Sequence, residues 1–377
     1  MGFRASSLPD FPWDSLADAG ALARSHPDGV VDLSVGTPVD PTPDTVRRAL
    51  EAASDSPGYP TTIGTPELRA AMVAWFARRR DVILTEDQVL PTIGSKELVA
   101  LLPSLLELGE GDAVVHPATA YPTYDVGARL AGATPVPSDD APETWPENTK
   151  LVWLNSPGNP HGHVMSAEEL RAVVEWARPR GVIVAADECY AELPWAEPWA
   201  SEGVPSLLDE YVNGGDHTGL LVAYSLSKQS NLAGYRAAML AGDPELIAAI
   251  REVRKHSGML LPGPVQAAMT AALRDDQHVA QQRVRYRRRR DALAAAVVNY
   301  GFTLDPRTEA GLYLWAHADQ PSMESVRELA ELGILVAPGT FYGDAGNGFV
   351  RIALSATDER IDAAITRLQA AIVGRLA

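Results

Sequence analysis

A lysine preceded by two serines is the most distinctive candidate for a reactive group in this 377-residue chain. Lys228 directly follows Ser227, Ser225 lies two residues before that serine, and Arg236 follows eight residues after the lysine. The chain has four lysines against twenty-eight arginines, so a lysine here is a selective choice. An amine can act as a nucleophile, whereas a guanidinium stays protonated. The pattern therefore indicates amine chemistry at Lys228.

The groups around this lysine are suited to binding a phosphate. Serine hydroxyls donate hydrogen bonds, and the guanidinium fork of Arg236 can bind two phosphate oxygens at once. An amine beside such a cluster fits a Schiff base with pyridoxal 5′-phosphate, abbreviated PLP below. A surface lysine in a polar turn is the alternative, and the residues near Lys228 do not decide between the two.

The composition is that of a globular protein, and it excludes several classes of function. Hydrophobic residues make up 46% and charged residues 21% of the chain, both ordinary values. A net charge of −17 and an isoelectric point near 4.9 argue against a nucleic-acid partner. No stretch approaches about 18 consecutive apolar residues and the N-terminus has no apolar signal core, so we expect no membrane partner and a cytoplasmic location. Cys189 is the single cysteine, which excludes an internal disulfide and a cysteine-based cluster, and we expect no metal site.

Strand and helix patterns alternate along most of the chain up to about residue 260. The alternation predicts an α/β fold, in which a mainly parallel sheet is flanked by helices. The predicted strands in this part are 30–35, 89–92, 113–116, 134–136, 151–154, 182–186 and 220–224. Ligands bind at the carboxyl edge of such sheets. There the glycine-led turn 94–97, which leads into a helix, would present free backbone N–H groups to a phosphate.

The same patterns divide the chain into three predicted segments. Residues 1–30 form an apolar N-terminal arm, and residues 31–265 form a large domain that contains the parallel sheet. Residues 266–377 form a smaller α+β domain, together with residues near the N-terminus. One long helix over residues 264–299 marks the boundary between the two domains.

Further distinctive residues follow the predicted strands. Asp187 and Tyr190 lie in the sequence Asp-Glu-Cys-Tyr, and Asn159 lies in Asn-Pro-His-Gly. Tyr121 precedes a proline, and Arg351 lies within a predicted strand near the C-terminus. In order and spacing, these residues and Lys228 resemble the fold-type I, PLP-dependent aminotransferases of class I and II over essentially the whole chain.

The resemblance implies a role for each matched residue. Lys228 would bind PLP as a Schiff base and carry the proton, and Asp187 would pair with the ring nitrogen. Tyr190 and Asn159 would both reach the ring oxygen O3′, and Tyr121 would stack on the ring.

The remaining matched residues would hold the phosphate and the substrate. The phosphate would be bound by Ser95, Lys96, Ser225, Ser227 and Arg236. The substrate α-carboxylate would be bound by Arg351 and Gly36, with Asn159 also at the substrate. Tyr59 resembles a tyrosine that reaches the phosphate from the neighbouring subunit, which implies a homodimer with shared active sites.

A finer resemblance concerns the substrate. Residues 94–97, 230–236, 254–259, 336–339 and 341–343 are similar to the corresponding segments of actinobacterial N-succinyldiaminopimelate aminotransferases. Such an enzyme moves an amino group between glutamate and the keto acid N-succinyl-2-amino-6-oxopimelate. Lys96 follows the phosphate-binding serine, and we expect its side chain to reach towards the polar or anionic distal end of the substrate.

One position departs from the family pattern, and two other functions stay open. His161 replaces the threonine of the usual Asn-Pro-Thr-Gly. The same residues could also serve a PLP enzyme of specialised metabolism that uses the substrate carbanion for β- or γ-elimination, replacement or cyclisation of an amino acid such as S-adenosylmethionine. A sensor domain of a transcription regulator is a third reading, but we find no basic DNA-binding segment before residue 30 to support it.

Overall fold

The computed structural model describes residues 8–376 of the protein. The strands are β1 (Val31–Asp32), β2 (Val89–Ile93), β3 (Ala113–His116), β4 (Thr134–Pro137), β5 (Thr149–Asn155), β6 (Ile183–Asp187), β7 (Leu220–Ser225), β8 (Ala237–Gly242), β9 (Thr303–Leu304), β10 (Tyr313–His317), β11 (Ile334–Leu335), β12 (Ala337–Pro338) and β13 (Phe349–Ala353). The α-helices are α1 (Ala17–Arg24), α2 (Asp44–Ala52), α3 (Pro66–Arg80), α4 (Ser95–Leu105), α5 (Thr123–Ala131), α6 (Ala167–Ala177), α7 (Trp199–Glu202), α8 (Glu210–Asn213), α9 (Leu226–Gln229), α10 (Pro244–His256), α11 (Gly263–Leu273), α12 (Asp276–Tyr300), α13 (Ser322–Glu331) and α14 (Asp358–Leu376).

Seven strands form the central sheet, in the order β2-β8-β7-β6-β5-β3-β4. The pairs β7–β6, β6–β5, β5–β3 and β3–β4 are parallel, whereas β8 runs antiparallel to both of its neighbours. The prediction of a mainly parallel sheet is therefore confirmed. The sequence patterns did not predict β8.

Both faces of this sheet are covered by helices. Along β5 the side chains alternate, so that Leu151 and Trp153 face one way and Val152 and Leu154 the other. The first pair packs in a core with residues of α4, α5 and α10, and the second pair in a core with residues of α3, α6 and α11. Burial on both faces explains why an inner strand such as β7 is a nearly continuous apolar run.

A second, antiparallel sheet has the order β12-β13-β10-β9. Its core includes residues of α1, α12, α13 and α14, and also the short parallel pair formed by β1 and β11. Residues between 13 and 33 thus pack with the C-terminal part, although the predicted boundary assigns residues from 31 onward to the large domain. The division into domains stays a prediction.

The predicted helix over residues 264–299 is wrong as a single element. The structure has two helices, α11 and α12, with a break at residues 274–275. Asp275 caps α12, since its side chain accepts hydrogen bonds from the backbone N–H groups of Gln277 (3.0 Å) and His278 (3.4 Å). An aspartate that binds these free N–H groups begins a new helix. Among the described residues, no helix has the length and apolarity needed to cross a membrane.

Candidate active site

A cavity of about 510 Å³ lies at the carboxyl edge of the central sheet, between this sheet and the second one. Asn155, Asp187 and Ser225, the last residues of β5, β6 and β7, all line it. Arg351 of β13 lines the opposite side. The two sheets therefore bring together groups that are far apart in the sequence.

Nearly all of the predicted site residues line this cavity. Those that line it are Gly36, Ser95, Lys96, Tyr121, Asn159, Asp187, Tyr190, Ser225, Ser227, Lys228, Arg236 and Arg351. Tyr59 is the exception, because it does not line the cavity and its side chain is 98% exposed. The group that each of these residues binds stays a prediction.

Lys228 lies on the short helix α9, which directly follows β7. Ser225 begins this helix, since its hydroxyl accepts a hydrogen bond from the backbone N–H of Ser227 (3.2 Å) and donates one to the Ser227 hydroxyl (2.8 Å). The half-buried Lys228 donates from Nζ to the carbonyl oxygen of Gly36. The amine is thus held inside the cavity by a backbone oxygen rather than by a carboxylate, so it stays available to a ligand.

A cluster of donors suited to a dianion lies next to this helix. Gly94 has a φ of +78°, and α4 begins directly after it, at Ser95. A Cβ atom at Gly94 would lie 2.1 Å from Nη2 of Arg236, so the guanidinium occupies the space that a side chain would fill. Arg236 donates from Nη1 to the carbonyl of Ala233 (2.8 Å), and its position is thereby fixed. The N-terminus of α4, the serine hydroxyls and the guanidinium together fit a phosphate.

Asp187 supplies a buried carboxylate at the end of β6. It accepts hydrogen bonds from the hydroxyl of Tyr124 (3.0 Å) and from the backbone N–H of Cys189 (3.1 Å). Burial raises the pKa of Asp187, and the hydrogen bonds oppose this only in part. A buried carboxylate with neutral donors is stabilised by a cationic ligand, which is the property that a pyridine nitrogen requires to stay protonated. The sequence patterns did not indicate a role for Tyr124.

Arg351 is 3% exposed and held on several sides. It donates to the side-chain oxygen of Asn159 (3.0 Å) and to the carbonyl of Ser34 (2.8 Å). Its guanidinium lies 3.8 Å from the ring centre of Tyr313 and 4.9 Å from that of Tyr342. The Nε atom is buried and has no hydrogen-bond partner within the described part of the chain. A guanidinium fixed in this way can bind a carboxylate that enters the cavity.

Two tyrosine hydroxyls meet beside this arginine. The hydroxyl oxygens of Tyr190 and Tyr313 are 3.2 Å apart, and both side chains are buried. Burial and the neighbouring Tyr313 raise the pKa of Tyr190. Burial also acts to raise the pKa of Tyr313, but the positive charges of Arg351 and Lys228 outweigh it and lower that pKa. No spacing in the sequence pointed to Tyr313.

His161, which departs from the family pattern, does not line the cavity. Its Nδ1 accepts a hydrogen bond from the backbone N–H of His163 (3.0 Å), and its ring occupies the space beside Gly158. Burial of the ring, followed by the charge of Arg307, lowers the pKa of His161 to about 3. The imidazole is therefore neutral at physiological pH and stabilises its own loop.

The sequence model of class I and II aminotransferases matches residues 28–368. The chain belongs to this family. This aminotransferase is 57% identical over 365 residues to the probable aminotransferase Rv1178 of Mycobacterium tuberculosis, covering 97% of this chain and 86% of the relative. It is 54% identical over 361 residues to the 4-dedimethylamino-4-oxo-anhydrotetracycline transaminase OxyQ of Streptomyces rimosus, covering 96% and 99%. It superposes on a crystal structure of an aminotransferase from Neisseria meningitidis with a TM-score of 0.88 at 29% identity, covering 99% of each chain.

The family membership establishes the cofactor and the type of reaction. The protein is a PLP-dependent transferase of fold-type I. When bound, PLP would supply the carbonyl group through which an amino group is taken from one substrate and given to another. The donors at the N-terminus of α4, the carboxylate of Asp187 and the amine of Lys228 fit the phosphate, the ring nitrogen and the aldehyde of PLP, respectively.

Proposed function

We propose that this aminotransferase moves an amino group between glutamate and a keto acid whose distal end is polar or anionic, such as N-succinyl-2-amino-6-oxopimelate. The fixed position of Arg351 carries the proposal, because its buried guanidinium is suited to an α-carboxylate. The finer resemblance to N-succinyldiaminopimelate aminotransferases supports the named keto acid. The reaction takes place, on this proposal, in the cytoplasm.

In this reaction each cavity residue has a separate task. Lys228 binds the cofactor and moves a proton at the substrate Cα, since its Nζ is an amine without a carboxylate partner in the described structure. Asp187 keeps the ring nitrogen protonated, and Tyr190 and Asn159 hold the ring oxygen. Arg351 orients the substrate through its carboxylate.

Lys96 supports the distal part of the proposal. Its side chain is exposed, and Nζ lies 5.7 Å from the ring centre of Phe11 and 5.9 Å from that of Tyr121. All three residues line the cavity. A cation at this place can pair with a carboxylate at the far end of a long substrate, whereas glutamate is too short to use every contact of a longer dicarboxylate.

Steady-state kinetics of Lys96→Ala tests this assignment. The variant should raise KM for the long keto acid by roughly ten- to a hundredfold, because a charge-assisted contact contributes about 1.5–3 kcal/mol. KM for glutamate should change much less. Equal losses with both substrates would show that Lys96 does not select the distal group.

A second candidate substrate is a ring ketone on a polycyclic molecule. The OxyQ relative is named for a 4-oxo-anhydrotetracycline, and the rings of Phe11, Trp13 and Tyr121 line the cavity of this chain. Aromatic side chains can stack on a flat ring system. Parallel assays of glutamate with the two acceptors would separate the candidates by their kcat/KM.

The names of these relatives favour amino transfer over elimination, replacement or cyclisation. Incubation of the holoenzyme with L-glutamate, followed by absorbance, tests this choice. Full conversion of the cofactor to its aminated form supports the proposal. A cofactor that stays unaminated, with keto-acid or cyclised products, would support the alternative.

We further propose that the enzyme is a homodimer with shared active sites. Tyr59 is an aromatic residue with 98% of its surface exposed in the single chain, as expected if its partner is a second subunit. Mixing inactive Lys228→Ala chains with inactive Tyr59→Ala chains should restore part of the activity in heterodimers. If heterodimers form and remain inactive, Tyr59 does not serve the neighbouring site.

A further inference from the structure

Tyr313 lines the cavity and contacts several of the predicted site residues, although its neighbours in the sequence give no indication of a role. The residue is on β10, and it is 4% exposed. Its neighbour on the same face of β10, Trp315, is paired with Arg351 of β13. Tyr313 itself is paired with Ala353, so it lies on the same face as the arginine and diagonally across the two strands from it.

The ring of Tyr313 supports the guanidinium of Arg351. The distance from Cζ of Arg351 to the ring centre is 3.8 Å, which is well inside the range for a cation–π contact. Tyr342 lies on the arginine as well, but at 4.9 Å. The closer of the two rings thus belongs to Tyr313.

The hydroxyl of Tyr313 contacts a different set of residues, Tyr190 and Gly36. It lies 3.2 Å from the hydroxyl of Tyr190, and the two rings meet edge to face at 5.9 Å. A Cβ atom at Gly36 would lie 2.1 Å from this hydroxyl, so a glycine is required there. The carbonyl of the same glycine accepts the hydrogen bond from Lys228.

We propose that Tyr313 is a positioning residue for amino transfer: its ring holds the Arg351 guanidinium in place for the substrate carboxylate, and its hydroxyl holds the hydroxyl of Tyr190 at the cavity wall. The first half rests on the carboxylate role proposed for Arg351. The second half concerns the protein without substrate and does not depend on that role.

The hydroxyl also influences the pH response of the site. The charged or titratable groups around Tyr313 are Lys228 on α9, Arg351 on β13, Asp187 at the end of β6, Tyr190 after β6, Tyr342 before β13 and Tyr286 on α12. Either hydroxyl can donate in this pair, and the pKa of Tyr313, lowered by Arg351 and Lys228, favours Tyr313 as the donor and Tyr190 as the acceptor. A hydroxyl that accepts such a bond becomes a better donor itself, and Tyr190 then binds the cofactor oxygen more strongly.

The test is the visible absorbance of the holoenzyme, titrated with acid and base in the absence of substrate. The midpoint reports the proton on the cofactor–Lys228 link. Tyr313→Phe should raise this midpoint by about 0.5–1 pH unit, because one hydrogen bond that favours the deprotonated form is lost. Tyr342→Phe is the matched control, since it removes a buried hydroxyl that has no partner among the described residues and that lies against the same arginine.

The ring is tested separately with L-glutamate. Tyr313→Phe keeps the ring and should leave KM within about twofold, whereas Tyr313→Leu should raise KM by roughly five- to thirtyfold with a smaller change in kcat. A midpoint that is unchanged or lowered in Tyr313→Phe overturns the hydroxyl assignment. Equal KM values in the Phe and Leu variants overturn the ring assignment. If Arg351→Lys itself leaves KM unchanged, the carboxylate role of Arg351 is wrong. The absorbance result still decides the hydroxyl assignment, because that assignment does not depend on Arg351 binding the substrate.

Discussion

The replacement of Gly94 by alanine tests the donor cluster that we assign to the cofactor phosphate. Gly94 has a φ of 78° and a ψ of 157°, a conformation that residues with a side chain rarely adopt. The added methyl would lie 2.1 Å from Nη2 and 2.6 Å from Cζ of Arg236. Because these separations are too short for non-bonded atoms, the guanidinium must move away from the N-terminus of α4.

Two effects should follow from this change. The backbone conformation costs about 1–3 kcal/mol of folding free energy when the residue is not glycine. The displaced guanidinium loses a charge-assisted hydrogen bond to the phosphate, worth about 1.5–3 kcal/mol, or roughly ten- to a hundredfold in the dissociation constant of PLP. The first effect lowers stability, and the second lowers cofactor affinity.

Gly203→Ala separates the two effects. Gly203 has a similar conformation, with a φ of 92° and a ψ of 165°, but no atom lies within 4 Å of its added Cβ. Titration of each apoprotein with PLP, followed by absorbance, gives the dissociation constants, and thermal unfolding gives the stabilities. We expect both variants to be destabilised and Gly94→Ala alone to bind PLP weakly.

Equal PLP affinities in the two variants would contradict the assignment of this donor cluster to the phosphate. The guanidinium of Arg236 would then either tolerate the methyl in place or contribute nothing to phosphate binding. Arg236→Ala would distinguish these cases, because it removes the contact without crowding the turn.

Three other changes give independent predictions. Burial raises the pKa of Asp187, so the Asp187 carboxyl group stays protonated to a higher pH in the folded apoprotein than in the unfolded chain. The folded state therefore loses stability as the pH rises and the buried carboxyl group has to ionise. Asp187→Asn should therefore make the apoprotein more stable than the wild type at high pH but not at low pH in thermal unfolding, while activity is lost; an unchanged pH dependence of stability would contradict this. His161→Thr should keep kcat/KM within about twofold, since His161 lies outside the cavity, and a larger loss would give it a functional role. Glu188 is buried and paired with Arg80 at 2.8 Å. Arg80→Met leaves this carboxylate without its cation and should lower the free energy of unfolding by about 3–5 kcal/mol in urea titrations. A loss below about 1 kcal/mol would show that the other donors to Glu188 bind it adequately.

The residues at the carboxyl edge of the sheet could be predicted from the sequence for a simple reason. Asp187 and Ser225 each end an apolar strand, Lys228 follows the second of these strands within a few residues, and parallel strands end at the same edge. The position of these residues relative to the strand ends therefore predicts that they lie close together in space. Arg351 was found only through resemblance, because the second sheet carries it from the far end of the chain to the same cavity.

Other features depend on contacts that local patterns do not contain. Tyr313 reaches the cavity through the pairing of β10 with β13, and its chemistry appears only beside Arg351 and Tyr190. The strand β8 has the apolar sequence Ala-Ala-Met-Leu-Ala-Gly, which fits a buried helix as well as a buried strand. The break before α12 depends on the Asp275 side chain, which the helical periodicity of its neighbours conceals.

The most direct test of the active-site assignment is to locate the cofactor on the chain. The holoenzyme is reduced with borohydride and digested, and the modified peptide is identified by mass spectrometry. The chain offers four lysines, Lys96, Lys150, Lys228 and Lys255. We expect the modification on Lys228 alone, because its amine lies in the cavity between the donor cluster and Arg351. Stoichiometric modification of any other lysine would contradict the assignment of the active site.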